Sequence, residues 1–134
     1  MKCKECGFEL WNPVAELEYS NVALYDDGRF PGRCIVSLNV HEEEFHLMNG
    51  PLMQRFMQDV QRVGQAIIEV TGAPRINYAI LGNAVPHVHA HVFPRQFPRD
   101  PVPNSSPWAH PKKVYPLKPA SKEKIIKGLA KALR

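Results

Sequence analysis

Between residues 51 and 71 the apolar residues recur at steps of three and four, which predicts a long amphipathic helix. Glutamine, arginine and aspartate occupy most of the positions between them. Pro51 suits the first turn of a helix, and the sequence Gly72-Ala73-Pro74 ends it. We interpret the apolar stripe as a core-facing surface, formed by Leu52, Met53, Phe56, Met57, Val60, Val63, Ile67 and Ile68.

Shorter apolar runs on both sides of this helix predict strands. Two precede it and are separated by a stretch rich in turn-forming residues, and two follow it as a hairpin around a turn at 82–86. This order, with short links, predicts an α+β fold: an antiparallel sheet of about five strands with the long helix packed on one face. The strand-like runs are 22–25, 33–38, 75–81 and 87–93, and residues 16–20 are either an earlier strand or the lead-in to the first.

The end of the chain has a different character. Eight prolines between Pro94 and Pro119 predict an extended loop over 94–119, because proline interrupts regular elements. Residues 120–134 predict a C-terminal amphipathic helix with Ser121 as a candidate N-cap. With 134 residues, the chain is expected to form a single domain over 1–134. The inward side chains of the last helix would be Ile125, Ile126, Leu129 and Leu133.

The formal charge of +4 is concentrated in this tail. Residues 118–134 carry six basic side chains against one acidic side chain, so the rest of the chain is near neutral. A solvated helix face explains this pattern, and attraction to RNA, DNA or an acidic surface is the alternative; we do not expect nucleic acid as a partner. No apolar run is long enough to span a membrane and the N-terminus is no secretion signal, which predicts a cytoplasmic location.

Candidate chemistry is concentrated in the last strand-like run, where His87, His89 and His91 alternate with small or β-branched apolar residues. Successive side chains of a strand point to opposite faces, so the three imidazoles would share one face. A rigid row of imidazoles offers a nucleophile, a partner for an anionic leaving group and a metal ligand. Coincidence and a metal-only cluster are the alternatives.

This stretch resembles the signature of the histidine triad superfamily of nucleotide hydrolases and transferases, His-x-His-x-His followed by two apolar residues. His87, His89 and His91 fit that pattern together with Val92 and Phe93. The resemblance covers about residues 1–95 in the order of motifs. It implies a homodimer and a nucleotide as the small-molecule partner.

The resemblance also implies a role for each histidine. His89 would attack the α-phosphorus of a nucleotide derivative to form a nucleotidyl-histidine intermediate, which water or another acceptor resolves. His91 would hydrogen-bond the phosphate or bridging oxygen where negative charge develops. His87 would anchor a metal or orient its neighbour.

Further nucleotide contacts follow from the same resemblance. Family members hold the ribose with a carboxylate after the second strand, which points to Asp26, or to Asp27 beside it, with Leu24 nearby. Asp-Asp-Gly is also a good turn sequence, which is the alternative explanation. Before the triad many members carry Gly-Gln-Ser or Gly-Gln-Thr, whereas here Asn83 keeps an amide and Ala84 has no hydroxyl.

The N-terminus carries a C-x-x-C sequence, Cys3 and Cys6, whose thiolates could bind one metal ion. A redox pair and a mobile N-terminus are the other interpretations. The resemblance implies a zinc site in which these cysteines are joined by a histidine after the third strand and by His87. His41 is our choice for that position, and His46 is the competing candidate. Four protein ligands would make the zinc structural.

The sequence therefore predicts a nucleotide hydrolase acting on a 5′-phosphate-linked substrate, of the dinucleoside polyphosphate or nucleoside phosphoramidate type. A nucleotidyltransferase or phosphorylase using the same intermediate is the nearest alternative. A non-catalytic nucleotide-binding module is the third, suggested by Ala84 and by the basic tail. Trp108 and His110 of the proline-rich loop could reach an active site, including that of a neighbouring subunit, or simply anchor the loop.

Overall fold

The computed structural model describes residues 2–134. It contains five strands and two α-helices, with short 3-10 turns at Phe45–Leu47 and Pro107–Ala109. The elements are β1 (Pro13–Glu16), β2 (Ser20–Leu24), β3 (Cys34–Leu38), α1 (Gly50–Thr71), β4 (Arg75–Ala79), β5 (His89–Arg95) and α2 (Pro119–Ala132).

The strands form one antiparallel sheet in the order β1-β2-β3-β5-β4. Alternate residues of the three central strands pack against α1, so α1 covers one face of the sheet. The residues between them, which include His89 and His91, lie on the opposite face. The predicted α+β architecture is confirmed. The buried residues on the covered face include Val22, Leu24, Cys34, Val36, Leu38, Ala90 and Val92.

Helix α1 begins and ends where its sequence predicts. The Asn49 side chain accepts a hydrogen bond from the backbone N–H of Leu52, and Pro51 lies in the first turn. At the other end Gly72 adopts a left-handed conformation with φ of 70°, which a residue without Cβ reaches without strain. Phe56 and Ile67 on the inner face are fully buried.

Several boundaries differ from the sequence prediction, and three of these differences concern β1, β4 and α2. Strand β1 covers 13–16, and 17–19 form the turn into β2 rather than a strand of their own. Strand β4 ends at Ala79 instead of residue 81, and its last paired residue, Ala79, lies opposite His91 of β5. Helix α2 begins at Pro119 with Lys118 at the N-cap, so Ser121 lies inside the first turn and is not the cap.

Residues 96–118 have no regular structure beyond one 3-10 turn, as the prolines predict. Arg95, whose side chain is buried, fixes the start of this loop. Its guanidinium donates to the carboxylate of Asp100, to Asn77 Oδ1, and to the carbonyl oxygens of Val102 and Ser105. Burial alone would raise the pKa of the Asp100 carboxyl, but the Arg95 hydrogen bond and charge hold that pKa below its ordinary value.

We expect Arg95→Met to lower the free energy of unfolding by about 3 kcal/mol, because it leaves the Asp100 carboxylate buried without its ion pair. Urea titrations followed by tryptophan fluorescence measure this change. Lys127→Met is the matched control, since it breaks the exposed ion pair with Glu123 and should leave the midpoint nearly unchanged. Equal midpoints for the two variants would contradict the proposed anchoring role.

Among residues 2–134, no helix is long and apolar enough to cross a membrane.

Candidate functional site

The histidine row lies on the face of the sheet opposite α1, where His87 and His89 are buried and His91 is partly exposed. On β5, His89 is paired with Ser37 and His91 with Ile35, while the intervening Ala90 packs in the core. His87 lies just before the strand, where its backbone N–H bonds the Val85 carbonyl. Only two of the three predicted strand positions are therefore in the strand.

Backbone carbonyls fix the orientation of two imidazoles. His87 Nε2 donates to the Leu38 carbonyl at 2.7 Å, and His89 Nδ1 donates to the carbonyl of His87 at the same distance. Since a carbonyl only accepts, the proton of neutral His89 is assigned to Nδ1 and its Nε2 keeps a lone pair. That is the protonation state a nucleophilic imidazole requires.

His91 is held by a different partner, the side chain of Arg33. Arg33 Nη2 lies 3.1 Å from His91 Nδ1, and Arg33 Nη1 donates to Asp27 Oδ2 at 2.9 Å. The guanidinium packs between the rings of Tyr25 and Phe93, at 3.7 and 4.2 Å from their centroids. Burial, reinforced by the charge of Arg33, lowers the pKa of His91 to about 4.

Aromatic side chains border the row at both ends. The Phe8 ring centroid lies 5.5 Å from that of His87 and 5.1 Å from that of His89. At the other end the half-exposed Trp108 lies 6.0 Å from His91. The proline-rich loop of the chain thus reaches its own histidine row.

A second cluster joins the N-terminus to the first histidine. One ligand atom from each of Cys3, Cys6, His41 and His87 lies within 4.8 Å of all the others. Cys3 Sγ is 3.6 Å from His41 Nδ1, and Cys6 Sγ is 3.5 Å from His87 Nδ1. Because His87 donates from Nε2, its Nδ1 lone pair faces the cluster.

The chemistry of this donor set fits a metal ion. Two thiolates and two imidazoles are a common set for structural zinc. A hydrogen bond from the Cys6 backbone lowers the pKa of the Cys3 thiol to about 6, which favours the thiolate that binds a metal, whereas burial raises the pKa of the Cys6 thiol. The cluster includes His41, whereas His46 is exposed in the 3-10 turn outside it.

The two candidate ribose carboxylates have partners within the protein. Asp26 accepts hydrogen bonds from the Leu117 backbone N–H and from Lys122 Nζ, which tie α2 to the end of β2. Asp27 is buried and accepts from Arg29 and Arg33. Asp26 is partly exposed and has acceptor sites left, whereas Asp27 accepts four hydrogen bonds and is fully buried, and a ribose contact by either stays a prediction.

The remaining predicted contacts lie in two different environments. Leu24 is 1% exposed within the core, on the face of the sheet opposite the histidines. Asn83 and Ala84 are exposed in the link between β4 and β5. His110 contacts the Phe30 ring rather than the histidine row.

Comparison with known families settles the class of protein. A family model described as the HIT domain matches residues 12–97, which is more than half of the chain and includes the whole histidine row. The chain belongs to the histidine triad family. Cys3 and Cys6 of this histidine triad protein lie outside the matched range, as does its proline-rich loop beyond residue 97.

Solved structures of histidine triad proteins share the fold. One from Sinorhizobium meliloti is 23% identical, with a TM-score of 0.79 over 90% of this chain and 88% of that one. A hypothetical histidine triad nucleotide-binding protein from Sulfolobus tokodaii is 17% identical, with a TM-score of 0.72 over 91% and 83%. A zinc-bound histidine triad family protein from Mycobacterium smegmatis is 23% identical, with a TM-score of 0.65 over 90% and 82%. No curated protein matches this chain.

Sequence reasoning missed two residues of this histidine triad site. Arg33 opens a strand-like run, and no local pattern pairs it with a histidine 58 positions away. Phe8 follows the cysteine pair closely, and its position beside the cysteines is the one sequence signal that could have placed it near the histidines.

Proposed function

We propose that this protein hydrolyses nucleotides linked through their 5′-phosphate, through a nucleotidyl-histidine intermediate on His89. The hydrogen bond from His89 Nδ1 to the His87 carbonyl carries the proposal, because it leaves the lone pair of His89 on Nε2. Membership of the family supports nucleotide binding and hydrolase-type chemistry in general. The histidine assignments are part of this proposal.

The reaction would proceed in two displacements. His89 Nε2 forms a bond to the α-phosphorus while the phosphorus–oxygen bond to the leaving group breaks, and the electron pair stays on the leaving oxygen. His91 donates a hydrogen bond to the oxygen that gains charge. Water then attacks the phosphorus, the nitrogen–phosphorus bond breaks, its electron pair returns to His89, and one proton of the water passes to solvent.

Adenine nucleotides linked as diadenosine polyphosphates and as adenosine phosphoramidates test this function. We expect release of AMP, incorporation of one oxygen from labelled water into it, and a mass increase of His89-containing peptides after an alkaline quench, in which the nitrogen–phosphorus bond survives. Release of ADP only when inorganic phosphate is present would favour a phosphorylase. Nucleotide binding without turnover of any substrate would favour the non-catalytic module.

The nucleotide contacts proposed here are His91, Asn83 and a carboxylate of the pair Asp26 and Asp27. Asn83 is supported by its exposed position in the link that precedes the row. Asp26 would accept from the ribose hydroxyls beside its present partners, whereas Asp27 would first have to lose one of its own. Leu24 would contribute indirectly, because it packs in the core at the end of β2 and so positions the two aspartates that follow.

We also propose that the cluster of Cys3, Cys6, His41 and His87 holds one structural zinc ion. Bound zinc would cross-link the N-terminal segment to the sheet, which is the chemistry it supplies there. His87 would serve two purposes, since its Nδ1 faces the cluster and its carbonyl holds His89. The acidic side chains of Glu5 and Glu43 lie 3.9 Å from His41 Nε2 and would steady that ring.

A homodimer formed through β4 is a further part of the proposal. β4 lies at one edge of the sheet and has no partner on its outer side within residues 2–134. Exposed apolar side chains continue along it, at Tyr78, Ile80 and Leu81, beside a cavity of about 1160 Å³ against α1. An unpaired edge with an apolar surface favours pairing with a second copy. The cytoplasmic location stays a prediction.

We expect Ile80→Lys to convert the dimer into monomers, because it places a charge in the proposed apolar contact. Sedimentation equilibrium measures the mass, which should fall from twice that of the chain to that of one chain. Val114→Lys is the control, since Val114 is similarly exposed but does not line the cavity. A wild-type protein that sediments as a monomer would contradict the dimer.

A further inference from the structure

We propose that Arg33 is a positioning residue that holds His91 as a neutral donor from Nε2, and that the site is therefore specific for leaving groups that depart as phosphate or polyphosphate anions. The second part rests on the proposed function. It narrows that function to one substrate class. The first part concerns only this chain's own side chains.

The geometry of Arg33 determines which nitrogen of His91 carries the proton. A guanidinium has donors only, so His91 Nδ1, 3.1 Å from Arg33 Nη2, must accept. The proton of the neutral ring is then on Nε2. Arg33 cannot easily turn away, because its side chain is 4% exposed, is ion-paired with Asp27 and is stacked between Tyr25 and Phe93.

Of the groups that face His91, Arg33 and His89 act against a second proton on the ring. Arg33 contributes a positive charge from the residue before β3, and His89 is its neighbour on β5. Tyr25 meets the ring from the loop after β2, and the uncharged Trp108 meets it from the proline-rich loop. The charge of Asp27 is already satisfied by Arg29 and Arg33.

A neutral His91 can stabilise an oxyanion but has no acidic proton to give away at neutral pH. A phosphate or polyphosphate oxygen departs with its electron pair as a stable anion, so a hydrogen bond from Nε2 is sufficient. An amine must gain a proton as the nitrogen–phosphorus bond breaks, and this site does not supply it. General-acid assistance is worth about a hundredfold or more when a leaving group needs it.

Long-range proton–nitrogen correlation spectra of the ¹⁵N-histidine-labelled protein test the first part. His91→Asn identifies the His91 signals. We expect wild-type His91 to show the neutral Nε2–H form from pH 8 to pH 5.5. In Arg33→Met we expect a mixture of the two neutral forms of His91 and a pKa of that ring nearer to the ordinary histidine value of about 6.5. We also expect kcat/KM to fall by about tenfold.

Two further variants serve as controls for this test. Arg29→Met also removes a partner of Asp27 but no contact with His91, so its His91 signals should match those of the wild type. Arg33→Lys keeps a buried cation beside Asp27 in case Arg33→Met does not fold, and its single ammonium should leave His91 in both neutral forms. An Nδ1–H form in the wild type, or an unchanged Nε2–H form in both Arg33 variants, would overturn the assignment.

The substrate class is tested by comparing diadenosine tetraphosphate with adenosine 5′-phosphoramidate at pH 7. We expect kcat/KM to favour the polyphosphate by at least about a hundredfold. Equal or faster cleavage of the phosphoramidate would overturn the leaving-group assignment and leave the proposed hydrolase intact. Turnover of neither substrate would remove the hydrolase and the leaving-group assignment together, while the nitrogen spectra still decide the role of Arg33.

Discussion

His89→Ala is expected to lower the rate of AMP release by about a thousandfold or more. The alanine side chain offers no atom that can form the bond to phosphorus, so the two-step route is lost. The structure supports this expectation because His89 is the histidine whose Nε2 lone pair is left free by a backbone hydrogen bond. Steady-state kinetics on the substrate panel measure the loss, and mass spectrometry after an alkaline quench should find adenylated protein for the wild type and none for the variant.

His91→Asn separates the two histidine roles in the same assay. An amide can donate a hydrogen bond to the leaving oxygen but cannot act as the nucleophile, so this variant should keep measurable activity after a loss of about a hundredfold. His46→Ala is the matched control, since this exposed histidine belongs to neither cluster and its loss should leave the rate unchanged. A His89→Asn variant more active than His91→Asn would reverse the two assignments.

Removal of the proposed zinc is expected to lower the melting temperature by about 10 °C or more. A structural zinc contributes several kcal/mol to the free energy of folding. In a domain of this size, each kcal/mol lost lowers the melting temperature by a few degrees. The four donors come from the N-terminal segment, from the residues after β3 and from the start of the histidine row, so the ion would join three distant parts of the chain. Elemental analysis should find one zinc per chain before chelation.

Cys6→Ala and His46→Ala form the matched pair for this test. The first removes a thiolate of the cluster, and we expect it to lose zinc and to melt at the lower temperature. The second removes a histidine outside the cluster and should keep one zinc per chain. Protein that is purified without chelator, contains no metal and has both Cys3 and Cys6 freely alkylated would contradict the site.

The amino-acid pattern by itself determined the helix α1, the order of strands and helices, and the alternating row of histidines. These features depend on local periodicity and on residues at the helix ends such as Pro51 and Gly72, which act within a few positions of the chain. The boundaries of β4 and β5 were not determined in this way. The apolar alternation of β4 continues to Ile80, but the pairing of β4 with β5 ends at Ala79 and His91.

Resemblance to a family, rather than periodicity, indicated the cluster of Cys3, Cys6, His41 and His87. The structure then brought the four donor atoms together and left His46 outside. For the carboxylates the result was different. Asp26 and Asp27 stand where the sequence expects them, but a residue's position does not reveal its partners, and both carboxylates are hydrogen-bonded within the protein.

Only the tertiary structure decided which ring nitrogen carries the proton in neutral His89 and in neutral His91. His89 and His91 are alike in sequence, since each follows a small or β-branched residue on the same strand. They differ because His89 donates to a carbonyl, whereas His91 accepts from Arg33. Arg33 is 58 positions away in the chain and directly precedes the neighbouring strand β3. The sequence determines which residues lie on the face of the sheet opposite α1. The folded arrangement around each imidazole determines which of its nitrogens carries the proton.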